Sequence, residues 1–141
     1  MIYADIPGGP ELLQWFGGAP TFHDAEIIQL HLNRNGVSTL RLHGWVMTNE
    51  VDEKGFFVLQ KHAVVTFAIE GIQDLKLDGF SHQNVIGGLT LDWAPDRGRS
   101  NYFPIPPSAR DIEIELEPCF GMDGHIRAQR VSVTFEPGKP A

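Results

Sequence analysis

The sequence predicts a mainly β domain: an antiparallel β-sandwich or strongly curved sheet of seven to eight strands in meander order, with one short N-terminal helix. Three observations carry that expectation. Apolar residues alternate with polar ones in most stretches from residue 26 onward, the period of a half-buried strand. Gly, Pro, Asn and Asp separate these stretches at intervals short enough for hairpins. A single run near the N-terminus has the punctuation of a helix.

That run is Glu11-Leu12-Leu13-Gln14-Trp15-Phe16, set between Pro7-Gly8-Gly9-Pro10 and Gly17-Gly18-Ala19-Pro20. Pro10 suits a first helical turn and Gly17 a left-handed stop. So short a helix cannot turn all of Leu12, Leu13, Trp15 and Phe16 to one side, but at least two should dock on the sheet. The lead-in, residues 1–20, then passes into Phe22-His23-Asp24-Ala25-Glu26, where three ionisable groups fall within four positions. In a strand Asp24 and Glu26 share a face while His23 points away. No histidine forms an HxH, HxxxH or HExxH pair with a neighbour. The expected roles are therefore architectural: Phe22 plugs the core, Asp24 accepts backbone N–H bonds at the turn, His23 bonds a nearby carbonyl, and Glu26 opens the first strand.

In that strand Glu26, Ile28, Leu30 and Leu32 are assigned to one face and Ile27, Gln29, His31 and Asn33 to the other. Asn33-Arg34-Asn35-Gly36 tolerates positive φ and marks a hairpin, after which Leu40, Leu42 and Val46 lie opposite Arg41, His43 and Trp45. His31 and His43 are placed to approach each other across the pair. Residues 48–55, with Glu50, Asp52 and Glu53, read as an acidic exposed loop. From Phe56 onward Val65, Phe67 and Ile69 face inward, and the apolar Val64 and Ala68 on the other side suggest a central strand covered on both faces, or one face covered by the N-terminal helix. Leu75 and Leu77 give a further short strand. Ser81-His82-Gln83-Asn84 is a polar step, and Gly87-Gly88 marks a bulge or bend before Leu89, Leu91 and Trp93.

Residues 94–110 contain Pro95, Pro104, Pro106 and Pro107 and read as an excursion, with Tyr102 and Phe103 available to pin it. Ile112, Ile114 and Leu116 then alternate with Asp111, Glu113, Glu115 and Glu117. After a turn over residues 118–124, Ile126 and Ala128 lead to Val131, Val133 and Phe135. The apolar phase slips between Ala128 and Val131, and a bulge near Gln129 and Arg130 is the expected repair.

At 141 residues the chain fits a single domain, 1–141, able to bury a core without disulfides. Its 11 basic and 18 acidic residues give a net charge of −7, which argues against a nucleic-acid binder and admits a basic protein partner. Cys119, the single cysteine, is expected to be an unpaired structural thiol. No apolar run suits a membrane span and no basic n-region suits a signal peptide, so a cytoplasmic location is expected.

No cofactor, metal or catalytic site is expected. Adjacent Ser81 and His82 with Asp78 lack the elbow motif of a serine nucleophile, and Gly8-Gly9 and Gly87-Gly88 are isolated pairs rather than phosphate loops. Four carboxylates on one strand, Asp111, Glu113, Glu115 and Glu117, give a solvated stripe or a docking surface for a basic cleft, with Glu50, Asp52 and Glu53 extending it. Trp45, Trp93, Tyr102 and Phe103 are the residues on which a small-ligand-binding β domain would rest. A metal-dependent enzyme would need His23, Asp24, Glu26 and a distant histidine.

Several words of the sequence, taken in order, resemble the immunity protein 50 family, predicted immunity proteins of bacterial polymorphic toxin systems. They are Trp15-Phe16-Gly17, Pro20-Thr21-Phe22-His23-Asp24-Ala25-Glu26-Ile27, Leu40-Arg41-Leu42-His43, Phe80-Ser81-His82-Gln83-Asn84-Val85-Ile86, and the stretch from Leu116 through Pro118-Cys119-Phe120-Gly121-Met122-Asp123-Gly124. Phe22, His23, Asp24 and Glu26, with His82, Gln83 and Asn84, are its most specific residues. The resemblance implies a cytoplasmic protein that binds and neutralises a cognate toxin domain, without substrate or turnover. The partner would be a protein, basic in the case that best fits the charge, and the chain a monomer or a homodimer. The proline-rich excursion has no counterpart in the resemblance.

Overall fold

The structure, a computed structural model, describes residues 2–94 and 110–141. A 3-10 turn, Ile2–Asp5, precedes helix α1, Gly9–Phe16. Six strands follow: β1 Glu26–His31, β2 Ser38–Val51, β3 Phe57–Asp78, β4 Gly88–Trp93, β5 Ile112–Glu117 and β6 Asp123–Pro137. They form one antiparallel sheet in the order β1-β2-β3-β6-β5-β4. The alternative of two packed sheets thus resolves to a single one. Among the described residues six strands replace seven to eight because residues expected as separate strands run on as β3, which is 22 residues long. The expectations for residues 95–109, including Tyr102 and Phe103, lie outside the described residues. Their flanks are joined by a bond from the Ala94 N–H to the Asp111 carbonyl, 2.8 Å.

Helix α1 begins and ends as its punctuation predicts. Pro10 sits in the first turn, and Gly17, at φ 74°, ends the helix while the Gly18 N–H donates to the Leu13 carbonyl at 2.9 Å. Leu12 and Phe16, one turn apart, are buried. They lie in one core cluster with Leu40, Leu42, Val65, Phe67, Ile114 and Ile126 from the sheet. Trp15 packs against Phe135 of β6 with ring centroids 5.8 Å apart. The helix therefore closes one face of a sheet that, among the described residues, has no second sheet to cover it.

The faces of β1 differ from the simple alternation. Ile27 is 3% exposed and Ile28 37% exposed, the reverse of the expected assignment. The register shifts between Ile27 and Gln29, and this bulge lets Ile27 and then the half-buried Leu30, three residues later, turn inward. In β6 the apolar phase slips at Gln129 and Arg130 as expected, both being exposed between buried Ala128 and Val131. The extra residue lies on the other strand, however: the β3–β6 register shifts between Ile72 and Asp74, just past Gly71 at φ 65°. β3 is the central strand anticipated, with Val65, Phe67 and Ile69 fully buried.

Candidate functional site

Phe22 and Asp24 both take left-handed backbone, at φ 55° and 61°, a conformation uncommon outside glycine. The turn drives the Phe22 ring into the core, edge-on to Phe16 at 5.9 Å and to Phe67 at 6.1 Å. Gly44 makes room for it, since a Cβ there would stand 2.8 Å from Phe22 Cδ1. Phe22 thus plugs the core as expected. Asp24 acts differently: its N–H donates to the Ile86 carbonyl at 3.0 Å, while its carboxylate lies 3.4 Å from His23 Nε2. His23 Nδ1 is 2.9 Å from the Gly87 carbonyl, the bond anticipated for it. Glu26 stands opposite His43 across the β1–β2 pair. His23 and Asp24 thus face each other while Glu26 faces His43, and among the described residues no group of three His, Cys, Asp or Glu is arranged to hold a metal ion.

The second signature is a knot. Asn84 is 3% exposed, and its Oδ1 accepts the N–H of Ser81 at 2.9 Å and of Met122 at 3.0 Å. Its Nδ2 donates to the Ser81 carbonyl at 2.9 Å, and its own carbonyl accepts the Ile27 N–H at 2.8 Å. Gly121 passes close over this turn at φ 81°, where a Cβ would stand 2.4 Å from the Gln83 carbonyl oxygen. Isolated bridges from Val85 to Glu26 and to Phe120 complete the link between the lead-in of β1 and the turn before β6. His82 and Gln83 are exposed on its outside.

The carboxylates predicted as one docking stripe divide into three groups. Asp111 is buried and receives Arg127 Nε at 2.7 Å, so it belongs to the interior and not to a solvent-facing stripe. Glu113, half-buried, lies between Asp92 and Arg127 on the neighbouring strands, whereas Glu115 and Glu117 are exposed. Glu50, Asp52 and Glu53 sit at the far end of β3 from this group. β5 reaches β6 only where β6 pairs with the last third of β3, leaving the two groups separated by about 50–65 Å of strand at about 3.3 Å per residue. They do not form one surface.

Of residues 48–55, the first four belong to β2 and the remaining four form the exposed acidic turn. β1 pairs with β2 only as far as His43, and β6 pairs with β3 only from Ala63, so the β2–β3 hairpin continues beyond both neighbours as a two-stranded arm. Val46 pairs with Gln60, Met47 with Leu59 and Val51 with Phe57. The tip closes through Asp52, whose carboxylate accepts the N–H groups of Lys54 at 2.9 Å and Phe56 at 3.0 Å, with Gly55 at φ 85°. The arm is apolar on its surface: Met47 is 45%, Val51 57%, Phe56 67% and Phe57 55% exposed. Glu50 and Glu53 flank them in the open. The sequence carried a trace of this in Phe56-Phe57, two aromatics directly after an acidic turn, read there only as the start of a strand.

At the root of the arm lie His43, Trp45 and His62. His43 Nε2 and His62 Nδ1 are 3.0 Å apart, so His43 meets His62 on β3 rather than His31, which is paired with Thr39. Burial lowers the pKa of both imidazoles; for His43 the neighbouring His62 lowers it further while Glu26 opposes, and for both Lys139 adds to the lowering. An open cleft of about 590 Å³ lies elsewhere, among the N-terminal turn, residues 19–23, the start of β4 and Glu117, with Tyr3 at its wall. The Tyr3 hydroxyl is buried without a hydrogen-bond partner among the described residues, and burial raises its pKa. Trp45 lies outside this cleft and Trp93 packs against the core, so the tryptophans do not gather into a ligand site.

No protein-family model, curated protein or solved structure matches the chain. What stands is a single open antiparallel sheet with a capping helix, a projecting arm of apolar and acidic character, and no helix long and apolar enough to cross a membrane among the described residues.

Proposed function

We propose that the protein is a non-catalytic immunity-type protein that binds and neutralises a bacterial toxin domain, and that the β2–β3 arm is its binding element. The observation that carries this reading is the arm itself. Four exposed large side chains, Met47, Val51, Phe56 and Phe57, stand on a ribbon whose strand edges both lie beyond the sheet, beside Glu50 and Glu53. Exposed apolar side chains gathered on a projection favour burial against a partner, and carboxylates around them steer a basic one into register. The resemblance to the immunity protein 50 family supports the same class. Inhibition by occlusion requires neither turnover nor a cofactor.

The test is co-expression with a toxin domain encoded beside this chain, comparing the parent with Phe56→Ser/Phe57→Ser. Protection by the parent and its loss in a variant of unchanged circular dichroism would support the proposal. Full protection by the variant would remove the arm from the interface, and a parent that neither protects nor forms a complex would overturn the function.

A further inference from the structure

We infer that His43 and His62 form a chelating site for a divalent transition metal that prefers tetragonal nitrogen coordination, copper(II) foremost. The two side chains project from neighbouring antiparallel strands on the side of the sheet away from the core: His43 is held by the ladder on both sides, through Leu42 with Val65 and Gly44 with Ala63, whereas His62 sits at the register shift next to Lys61 at φ 58°, where its carbonyl accepts the Gly138 N–H at 2.7 Å. The donors are thus fixed by the fold rather than by side-chain contacts alone. Both rings are half-buried, open to solvent on one side.

The donor type selects the metal, since imidazole nitrogens bind copper(II) most strongly among the divalent first-row ions. Nitrogens bound at about 2.0–2.1 Å stand about 2.9 Å apart on adjacent corners of a square and about 3.4 Å apart on a tetrahedron. His43 Nε2 and His62 Nδ1 stand 3.0 Å apart, the length of the hydrogen bond they share, with their rings tilted by 31°, and rotation of the side chains turns both nitrogens toward a common ion. One of the two now donates an N–H to the other. A neutral imidazole carries its proton on either nitrogen, so the donating ring moves its N–H to its remote nitrogen and both lone pairs face the ion without net proton loss. Glu26, opposite His43 on β1, contributes negative charge, while Lys139 opposes a cation. Water completes the coordination.

Trp45 supplies the readout. Its ring lies 4.9 Å from that of His43 and 6.0 Å from that of His62, within range for quenching by a bound copper(II) ion. The untagged full chain is titrated with copper(II) chloride, and separately with zinc chloride, following tryptophan emission; electron paramagnetic resonance of the copper-loaded protein then counts coordinated nitrogens. We expect one-to-one quenching, a two-nitrogen signal, and weaker binding of zinc. His62→Gln and His43→Asn, substitutions at partly exposed positions, should each weaken copper binding by roughly a hundredfold, because loss of one donor removes the chelate. Lys139→Gln should tighten it, and His125→Gln should leave it unchanged. Absence of binding by the parent, or equal affinity and an unaltered resonance signal in both His62→Gln and His43→Asn, would overturn the assignment.

Discussion

Asn84→Ala offers the sharpest test of how the fold is tied together. The substitution removes three hydrogen bonds: two accepted by Oδ1, from the Ser81 and Met122 N–H groups, and one donated by Nδ2 to the Ser81 carbonyl. Ser81 is only half-buried, and water can replace part of what its groups lose. Met122 is fully buried, and its N–H is left without a partner. An unsatisfied buried donor costs about 1–3 kcal/mol and the lost turn bonds about 1 kcal/mol together, so we expect a loss of about 2–4 kcal/mol. In a domain of this length that lowers Tm by roughly 6–15 °C. Urea denaturation followed by circular dichroism measures it directly. Asn84→Asp provides the control on geometry, because it keeps the acceptor and sets a carboxylate oxygen where Nδ2 faced the Ser81 carbonyl. Buried beside a carbonyl, that new carboxyl has its folded-state pKa raised above the unfolded value of about 3.9. Its destabilisation is full at neutral pH and shrinks as pH falls through the raised value toward about 3.9. A loss below about 0.5 kcal/mol in Asn84→Ala, the range of an ordinary surface change, would refute the knot. So would an Asn84→Asp variant whose deficit is independent of pH.

Four further outcomes follow from the same structure. Gly44→Ala should cost about 1–3 kcal/mol through the 2.8 Å approach to Phe22, and Phe22→Leu in the same chain should recover part of it; additive losses in a double-mutant cycle would count against the contact. Asp24→Ala should lose about 1 kcal/mol while Asp24→Gly stays near the parent, because the cost lies in the left-handed backbone and not in the carboxylate; equal losses would argue otherwise. Asp111→Ala should lose about 1.5–3 kcal/mol by removing the buried carboxylate that Arg127 Nε meets, and the Asp111→Leu/Arg127→Met pair should be the more stable variant, as read from chemical denaturation. With the folded pKa values of His43 and His62 below their ordinary value, the unfolded chain takes up protons first, so stability should fall as pH drops below about 6.5. His62→Gln should flatten that fall in urea midpoints measured between pH 7.5 and 5 in a chelating buffer.

Much of the architecture is legible in local pattern. The helix between Pro10 and Gly17, the Asn33–Gly36 hairpin, the inward Val65, Phe67 and Ile69, and the buried Ile112, Ile114 and Leu116 are all specified by residues within a few positions of one another. Period-two burial and turn chemistry act over such distances, so sequence alone carries them. Faces are less secure: one bulged residue near Ile28 reverses the assignment of Ile27, and nothing in that short stretch distinguishes the two isoleucines.

The candidate sites depend on contacts that local pattern does not encode. Asp111 reads like Glu113, Glu115 and Glu117 because alternation records only which residues are polar; its pairing with Arg127 follows from the register of β5 on β6. The arm exists because β1 and β6 stop short of it, a comparison between strand ends that are distant in sequence. His43 meets His62 because β2 pairs with β3 in one register, and Asn84 serves Met122 across 38 positions for the same kind of reason. By itself the sequence determined a mainly β domain with a helical lead-in, since each strand's burial is written in its own alternation. Only the tertiary structure decided which polar groups are sealed inside, which apolar ones project into solvent and which imidazoles face each other, because strand register brings together residues whose spacing along the chain carries no period.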